Sequence, residues 1–243
     1  MIELIDFSKS YNSKDYAVKN FFMTCKPGKI TGLLGINGAG KTTILKAICA
    51  RHYPTSGKIL VNGIDSSLYP EKIKSVTGFV EEQNSSSFLQ ANDFTVYEYL
   101  LFFASLNCEK NRVFERLQTV KKDFSLEDVW SKKTGKLSQG FKKRVAFACA
   151  LIHDPEVLVF DEPAGGLDPS QIIKVRQLIK SLKKTHTILL STHLMQEVDA
   201  LCDYIYIINK GIRAAFGTAE SITKEQNCRN LEQAFLKITE ESV

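Results

Sequence analysis

The chain has no C-x-x-C pair among its six cysteines, and several of them sit inside apolar runs such as AFACALI. That excludes a zinc ribbon or a thioredoxin-type redox pair and leaves free thiols suited to a reducing compartment. The N-terminus MIELIDF lacks the charged and apolar regions of a secretory leader, and the richest apolar window, YLLFFASL, is far too short to cross a bilayer. A cytosolic chain without a span of its own is expected. No internal repeat and no low-complexity tract is visible. Lys and Arg number 32 against 27 for Asp and Glu, but the basic doublets are dispersed and no aromatic-and-basic module accompanies them. A solvated surface is expected, with no nucleic-acid partner.

The length of 243 residues suits one large α/β body rather than a string of modules. Apolar runs at KITGLLG, KILVNG, VTGFV, EVLVF, TILLST and YIYIINKG have the near-continuous character of strands buried on both faces. Helical periods alternate with them. Ile172, Val175, Ile179 and Leu182 recur three or four apart after Asp168-Pro169-Ser170, a helix start. From about 84 to 153 the pattern is helical instead, with a capping box at Thr95-x-x-Glu98 and a weaker one at Ser125-x-x-Asp128. The reading is a single domain whose core, residues 1–83 and 154–243, is interrupted by a helical subdomain, 84–153. Leu231, Phe235 and Ile238 of the tail predict a packed C-terminal helix.

GINGAGKT, residues 35–42, lies between the apolar ITGLL and the helical TILKAICA. Gly35, Gly38 and Gly40 let consecutive backbone N–H groups curl toward one anion, and the helix start adds positive potential. Lys41 is placed to reach β and γ phosphates, and Thr42 to offer its hydroxyl to Mg²⁺. Some 120 residues later VLVFDE ends a buried strand in Asp161 and Glu162. Ligands of open α/β sheets sit at the carboxyl ends of strands, which aims both acids at the loop. Asp161 then holds Mg²⁺ through water and Glu162 serves as general base. Taken alone, two acids before a proline also fit a helix cap or a solvated turn. TILLST likewise ends beside His193, a candidate γ-phosphate contact. A GTPase is disfavoured because Asn209-Lys210-Gly211 is followed by Ile212 rather than by the aspartate of N-K-x-D; a small-molecule kinase fits the loop but leaves LSQGFKKR, residues 137–144, without a role.

In that stretch Ser138 caps a helix beginning near Gly140, with Phe141, Val145, Ala148 and Ile152 on its apolar face. Lys142, Lys143 and Arg144 crowd its first turn, where the dipole disfavours cations, so an anion or a carboxylate-bearing partner nearby would offset them, the anion being one that another chain brings; an ordinary exposed capped helix is the alternative.

The order GINGAGKTT, Gln83 in GFVEEQ, LSQGFKKR, LVFDEP, GGLDP and STH resembles the ATP-binding subunit of an ABC transporter, and covers nearly the whole chain. The resemblance implies a P-loop NTPase core of mainly parallel sheet, an N-terminal antiparallel β portion and an inserted helical subdomain. It implies ATP and Mg²⁺, hydrolysis by Glu162, Gln83 and His193, and phosphate binding by Gly35, Asn37, Gly38, Ala39, Gly40, Lys41, Thr42 and Thr43. Tyr11 would stack on adenine, although an early tyrosine is otherwise a packing residue. Thr42, Gln83 and Asp161 would attend the metal. Ser138 and Gly140 would act on the nucleotide of a second subunit, with Asp168 at the boundary between the two.

The partners implied are a homodimer or heterodimer of ATPase subunits and polytopic permease subunits on the cytoplasmic face of a membrane. The short tail disfavours a long regulatory domain, and it and ALIHDPEVLVFDEP resemble ABC-2-type exporters. A non-transport ATPase acting on nucleic acid or as an assembly scaffold is the second reading. Three departures stand out: Leu-Ser-Gln-Gly-Phe replaces the usual Leu-Ser-Gly-Gly-Gln, Ile36 replaces a common proline, and Ala164 a small hydroxyl residue.

Overall fold

The computed structural model describes residues 1–12, 15–82 and 93–240. Its first two strands, β1 (Ile2–Ser10) and β2 (Tyr16–Cys25), pair antiparallel. They form the N-terminal antiparallel β portion that the resemblance implies, but neither was among the apolar runs read as strands, and the reason is local. Ile2 and Leu4 face inward, then the register slips and Phe7, not Asp6, is the next buried residue. On β2 the same slip separates Val18 from Phe21. Asp6 and Asn20 sit there at φ 51 and 49, with the Asn20 Nδ2 donating to Asp6 Oδ1 at 2.8 Å. The bulge breaks the two-residue alternation by which a half-buried strand is recognised.

The remaining elements follow in chain order: β3 (Ile30–Leu34), α1 (Lys41–Ile48), β4 (Ser56–Val61), β5 (Ile64–Asp65), α2 (Pro70–Val76), β6 (Thr77–Val80), α3 (Val96–Asn107), α4 (Val113–Asp123), α5 (Gln139–Leu151), β7 (Val157–Asp161), α6 (Pro169–Leu182), β8 (Thr187–Thr192), α7 (Met195–Leu201), β9 (Tyr204–Asn209), β10 (Ile212–Gly217), α8 (Ala219–Glu225) and α9 (Leu231–Glu240). Four strands form one sheet in the order β2-β1-β4-β5, antiparallel throughout. Six form the other, β10-β9-β3-β8-β7-β6, parallel except for the edge strand β10. All six apolar runs are strands. KILVNG, however, became β4 of the antiparallel sheet, where only Ile59 and Val61 are buried.

The continuous apolarity of β7 and β8 has a direct cause. Val157, Val159 and Leu189 enter a core shared with Ile44, Leu45 and Ile48 of α1 and with Phe7 and Phe21 of the other sheet. Leu158, Phe160, Ile188 and Leu190 point the other way, into a core shared with Leu100, Val145, Phe147 and Ile179 of α3, α5 and α6. Each such side chain contributes roughly 1.5–3 kcal/mol by leaving water. α9 packs Leu231, Phe235 and Ile238 against Leu34, Ile205 and Ile207, as its spacing predicted.

Helices α3, α4 and α5 lie between β6 and β7 in the chain, and those two strands are neighbours in the sheet. The capping box at α3 is present: Thr95 Oγ1 accepts from Glu98 N, and Glu98 Oε2 accepts from Thr95 N at 2.8 Å. The weaker one is not. Ser125 stands at φ 50, and only a short 3₁₀ turn, Glu127–Val129, follows, without a side-chain cap. A left-handed residue closing α4 cannot also take the extended backbone of an N-cap.

Candidate active site

β3, β7 and β8 run parallel and end together, so the loops after them share one end of the sheet. After β3 the chain turns through residues 35–40 into α1. Gly38 and Gly40 take φ values of 80 and 107, and a Cβ on Gly40 would press on the Ala17 carbonyl at 2.7 Å. Glycine is therefore required for this turn on both dihedral and steric grounds. The loop, the ends of β7 and β8, and residue 82 beyond β6 surround a cavity of about 340 Å³ lined by Ala17, Asn37, Gly38, Gly40, Lys41, Thr42, Thr43, Glu82, Asp161, Glu162, Gly165 and His193.

Lys41 is nearly buried, its ammonium donating to the carbonyls of Gly35 and Ile36 at 2.8 and 3.2 Å. Glu162 Oε1 lies 3.4 Å from Lys41 Nζ and 3.1 Å from His193 Nδ1. That oxygen is buried and, among the described residues, accepts no hydrogen bond, so these two contacts are the support they give it. Asp161, 2 % exposed, accepts from Ser191 Oγ at 2.5 Å, and Ser191 Oγ in turn accepts the Glu162 N–H at 3.1 Å. Ser191, one residue inside the end of β8, was not singled out from sequence; the signal was the hydroxyl pair before His193.

The fit to a nucleotide's phosphates and a divalent cation is good. The loop offers an N–H cradle at a helix start, and the Thr42 hydroxyl and Asp161 carboxylate are hard oxygen donors. Among the described residues no group of three His, Cys, Asp or Glu side chains could hold a metal alone. A cation here would share its shell with phosphate oxygens, as Mg²⁺ does.

Other expected residues fall elsewhere. Ala39 is buried in the loop, its carbonyl accepting from Gly211 N. Gly35 closes against Ile208, where a Cβ would meet its carbonyl. Tyr11 is 62 % exposed beside the cavity, its hydroxyl 3.3 Å from Thr43 Oγ1 and 3.1 Å from His52 Nε2. Asp168 caps α6, accepting from Gln171 N at 3.0 Å and Ser170 Oγ at 2.7 Å. Gln83 lies outside the described residues.

Ser138 and Gly140 do not join this cavity. Ser138 caps α5, accepting from Phe141 N at 3.4 Å. Both line a separate cavity of about 290 Å³ between the starts of α5 and α6. Gly140 allows that approach: a Cβ there would strike the Gln171 amide. The three cations after it do not act alike. Lys142 and Arg144 are half-buried, but Lys143 is 2 % exposed and points inward, its Nζ donating to the Glu162 carbonyl at 3.3 Å. Burial pushes its pKa down to about 8, against the opposing pull of Glu82, Asp161 and Glu162. Lys143 also lines the cavity of Ser138 and Gly140, but unlike its two neighbours it is turned toward the sheet.

A glycine-rich loop between strand and helix, facing two carboxylates at the end of a parallel strand one removed from it in the sheet, defines a P-loop nucleotide hydrolase. The ABC transporter family model matches residues 18–165, and the chain belongs to that family. It is 34 % identical to the ABC transporter ATP-binding protein NatA of Bacillus subtilis, over 97 % of both chains. It is also 34 % identical to the Nod factor export ATP-binding protein I of Rhizobium leguminosarum bv. viciae, covering 93 % of this chain and 71 % of that one. Among solved structures, an ATP-binding subunit of an ABC transporter superposes with a TM-score of 0.86 at 27 % identity, covering 98 % and 99 % of the two chains. A dimeric ATP-binding cassette in a post-hydrolysis state, bound to ADP and Pi, does so with 0.79 at 25 %, covering 90 % and 98 %. The chain is thus the ATP-binding, ATP-hydrolysing subunit of an ABC transporter. No helix among the described residues is long and apolar enough to cross a membrane.

Proposed function

We propose that ATP and Mg²⁺ occupy the 340 Å³ cavity, that hydrolysis there is driven by Glu162, and that a second copy or a related subunit completes the site with its own Ser138 and Gly140. The observation that carries this is the division of the polar residues: the loop, Asp161, Glu162 and His193 converge on one cavity, whereas Ser138 and Gly140 open onto another. A site needing both sets requires two chains.

In this reading the loop N–H groups and Lys41 hold the β and γ phosphates, and Thr42, Asp161 and Gln83 attend the metal, which when bound neutralises phosphate charge. Glu162 takes a proton from water as its oxygen bonds to the γ phosphorus and the bond to the β–γ bridging oxygen breaks. His193 holds the γ phosphate and orients the Glu162 carboxylate, 3.1 Å away. Tyr11 stacks on the adenine, and Asp168 lies at the boundary with the second subunit.

The work is delivered to separate membrane subunits, as an exporter; the Nod factor export relative supports that direction. The docking site we favour is a groove of about 500 Å³ between the end of α1, β6 and helices α3 and α5. Glu81 lines that groove and Glu82 lines the nucleotide cavity, so consecutive residues after β6 face the two. In this reading the turn after β6 couples the two, and the chain works on the cytoplasmic face of a membrane.

Two mutants test the two-chain site. Ser138→Arg blocks the start of α5 and Lys41→Ala the phosphate loop, so each pure population lacks a working site. Mixed, with Glu162→Gln in both, a heterodimer confines both lesions to one composite site. About one occluded ATP per mixed dimer is expected. None, with subunit exchange verified by mass spectrometry, would mean that Ser138 serves its own chain's nucleotide or none.

A further inference from the structure

Lys143 is a fully buried lysine that none of the chemistry above uses. It lies on α5, five residues after Ser138, and among the described residues no carboxylate lies within ion-pairing distance of its ammonium. Its hydrogen-bond acceptor is the Glu162 carbonyl at 3.3 Å. The same oxygen accepts from Gly165 N at 3.0 Å. Glu162 itself stands at φ 45, a left-handed conformation unusual for a glutamate, and donates its own N–H to Ser191 Oγ. Three partners therefore hold one strained residue. Ser191 comes from the neighbouring strand and Gly165 from the turn that follows, whereas Lys143 alone reaches in from a helix inserted between β6 and β7.

We propose that Lys143 is a positioning residue for the catalytic glutamate: its grip on the Glu162 carbonyl fixes the backbone turn that aims the carboxylate into the nucleotide cavity. An apolar side chain of similar length would fill the same space without burying a charge, so packing alone gives no reason for an ammonium here. Directed at a carbonyl already bonded to Gly165, the cation adds a second, charge-assisted restraint to a backbone that would otherwise relax toward ordinary dihedrals. The inference rests on the reading of Glu162 as general base.

The test uses the full chain and four variants: Lys143→Met, Lys143→Gln, Glu162→Gln, and Lys143→Met with Glu162→Gln. Lys143→Met is expected to lower kcat about tenfold or more while KM and the ATP dissociation constant stay within about threefold, and to leave Tm unchanged or higher. Lys143→Gln, which keeps an N–H donor on a shorter stem, recovers part of the lost kcat. In the Glu162→Gln background, single-turnover hydrolysis of labelled ATP changes less than about twofold on adding Lys143→Met, because the group being positioned is already gone. The inference is overturned by a Lys143→Met kcat within about twofold of wild type. It is equally overturned if the loss tracks a fall in Tm or multiplies in full on that of Glu162→Gln. Near-normal turnover of Glu162→Gln alone is a separate result that removes the base reading, and this inference with it; full activity of Lys143→Met beside a crippled Glu162→Gln removes only the inference.

Discussion

The nucleotide cavity and the start of α5 are both rich in charge, yet they handle it in opposite ways. At the cavity four groups turn inward to one centre: Lys41 and His193 both contact Glu162 Oε1, and Ser191 ties Asp161 to the Glu162 backbone. At α5 the polar groups part company within two turns. Ser138 caps the helix at the surface, Gly140 lets α6 approach, and Lys143 turns back toward Glu162. The converging cluster gathers its groups into one cavity, whereas the diverging one spreads them between a second cavity, the α6 start and the sheet.

Three substitutions probe that contrast. The largest effect is expected from Lys41→Ala, which removes the cation that faces both the loop carbonyls and Glu162. ATP binding measured by equilibrium titration should weaken at least about a hundredfold and turnover should vanish. Retained turnover would mean that the inward convergence is structural rather than functional. Ser191→Ala acts one step out, by releasing Asp161 and leaving the buried Glu162 N–H without its acceptor. The Mg²⁺ concentration for half-maximal ATPase should rise about 10- to 100-fold, with ATP binding little changed in the absence of metal. An unchanged Mg²⁺ dependence would show that Asp161 needs no outside support. The smallest effect belongs to Thr95→Ala, which deletes the cap of α3 well away from both polar clusters. Thermal unfolding should shift down by about 2–4 °C while kcat of the isolated chain stays within about twofold.

Much of the cavity was legible because its parts are each tied to a local pattern. The loop carries glycines at the spacing a phosphate cradle needs, and the acids and His193 close apolar runs whose side chains fill cores on both faces of the sheet. Such runs mark strand ends, and parallel strand ends mark where ligands gather. β1 and β2 were hidden by the opposite circumstance. A bulge at Asp6 and Asn20 moves the inward-facing residue by one, so a pattern that depends on strict alternation fails at mid-strand. The cap expected at Ser125 failed because that residue ends α4 in a left-handed turn, which the spacing of Ser and Asp does not reveal.

Local chemistry along the chain was enough to determine the glycine-rich turn into α1, the two acids that close β7, the caps of α3, α5 and α6, and the alternation of strand and helix. Each of these depends on residues within about one helical turn or one strand of each other, where dihedral preference and side-chain spacing dominate. Only the packed structure decided that Lys142, Lys143 and Arg144, three adjacent cations of one helix turn, have different fates. Successive helix positions differ by about 100°, so which of them faces the sheet depends on how α5 is rolled against β6 and α3. That roll is set by Val145, Phe147, Ala148 and Ile152 seating in the core shared with Leu158 and Phe160, and it turns Lys143 toward a backbone carbonyl nineteen residues away.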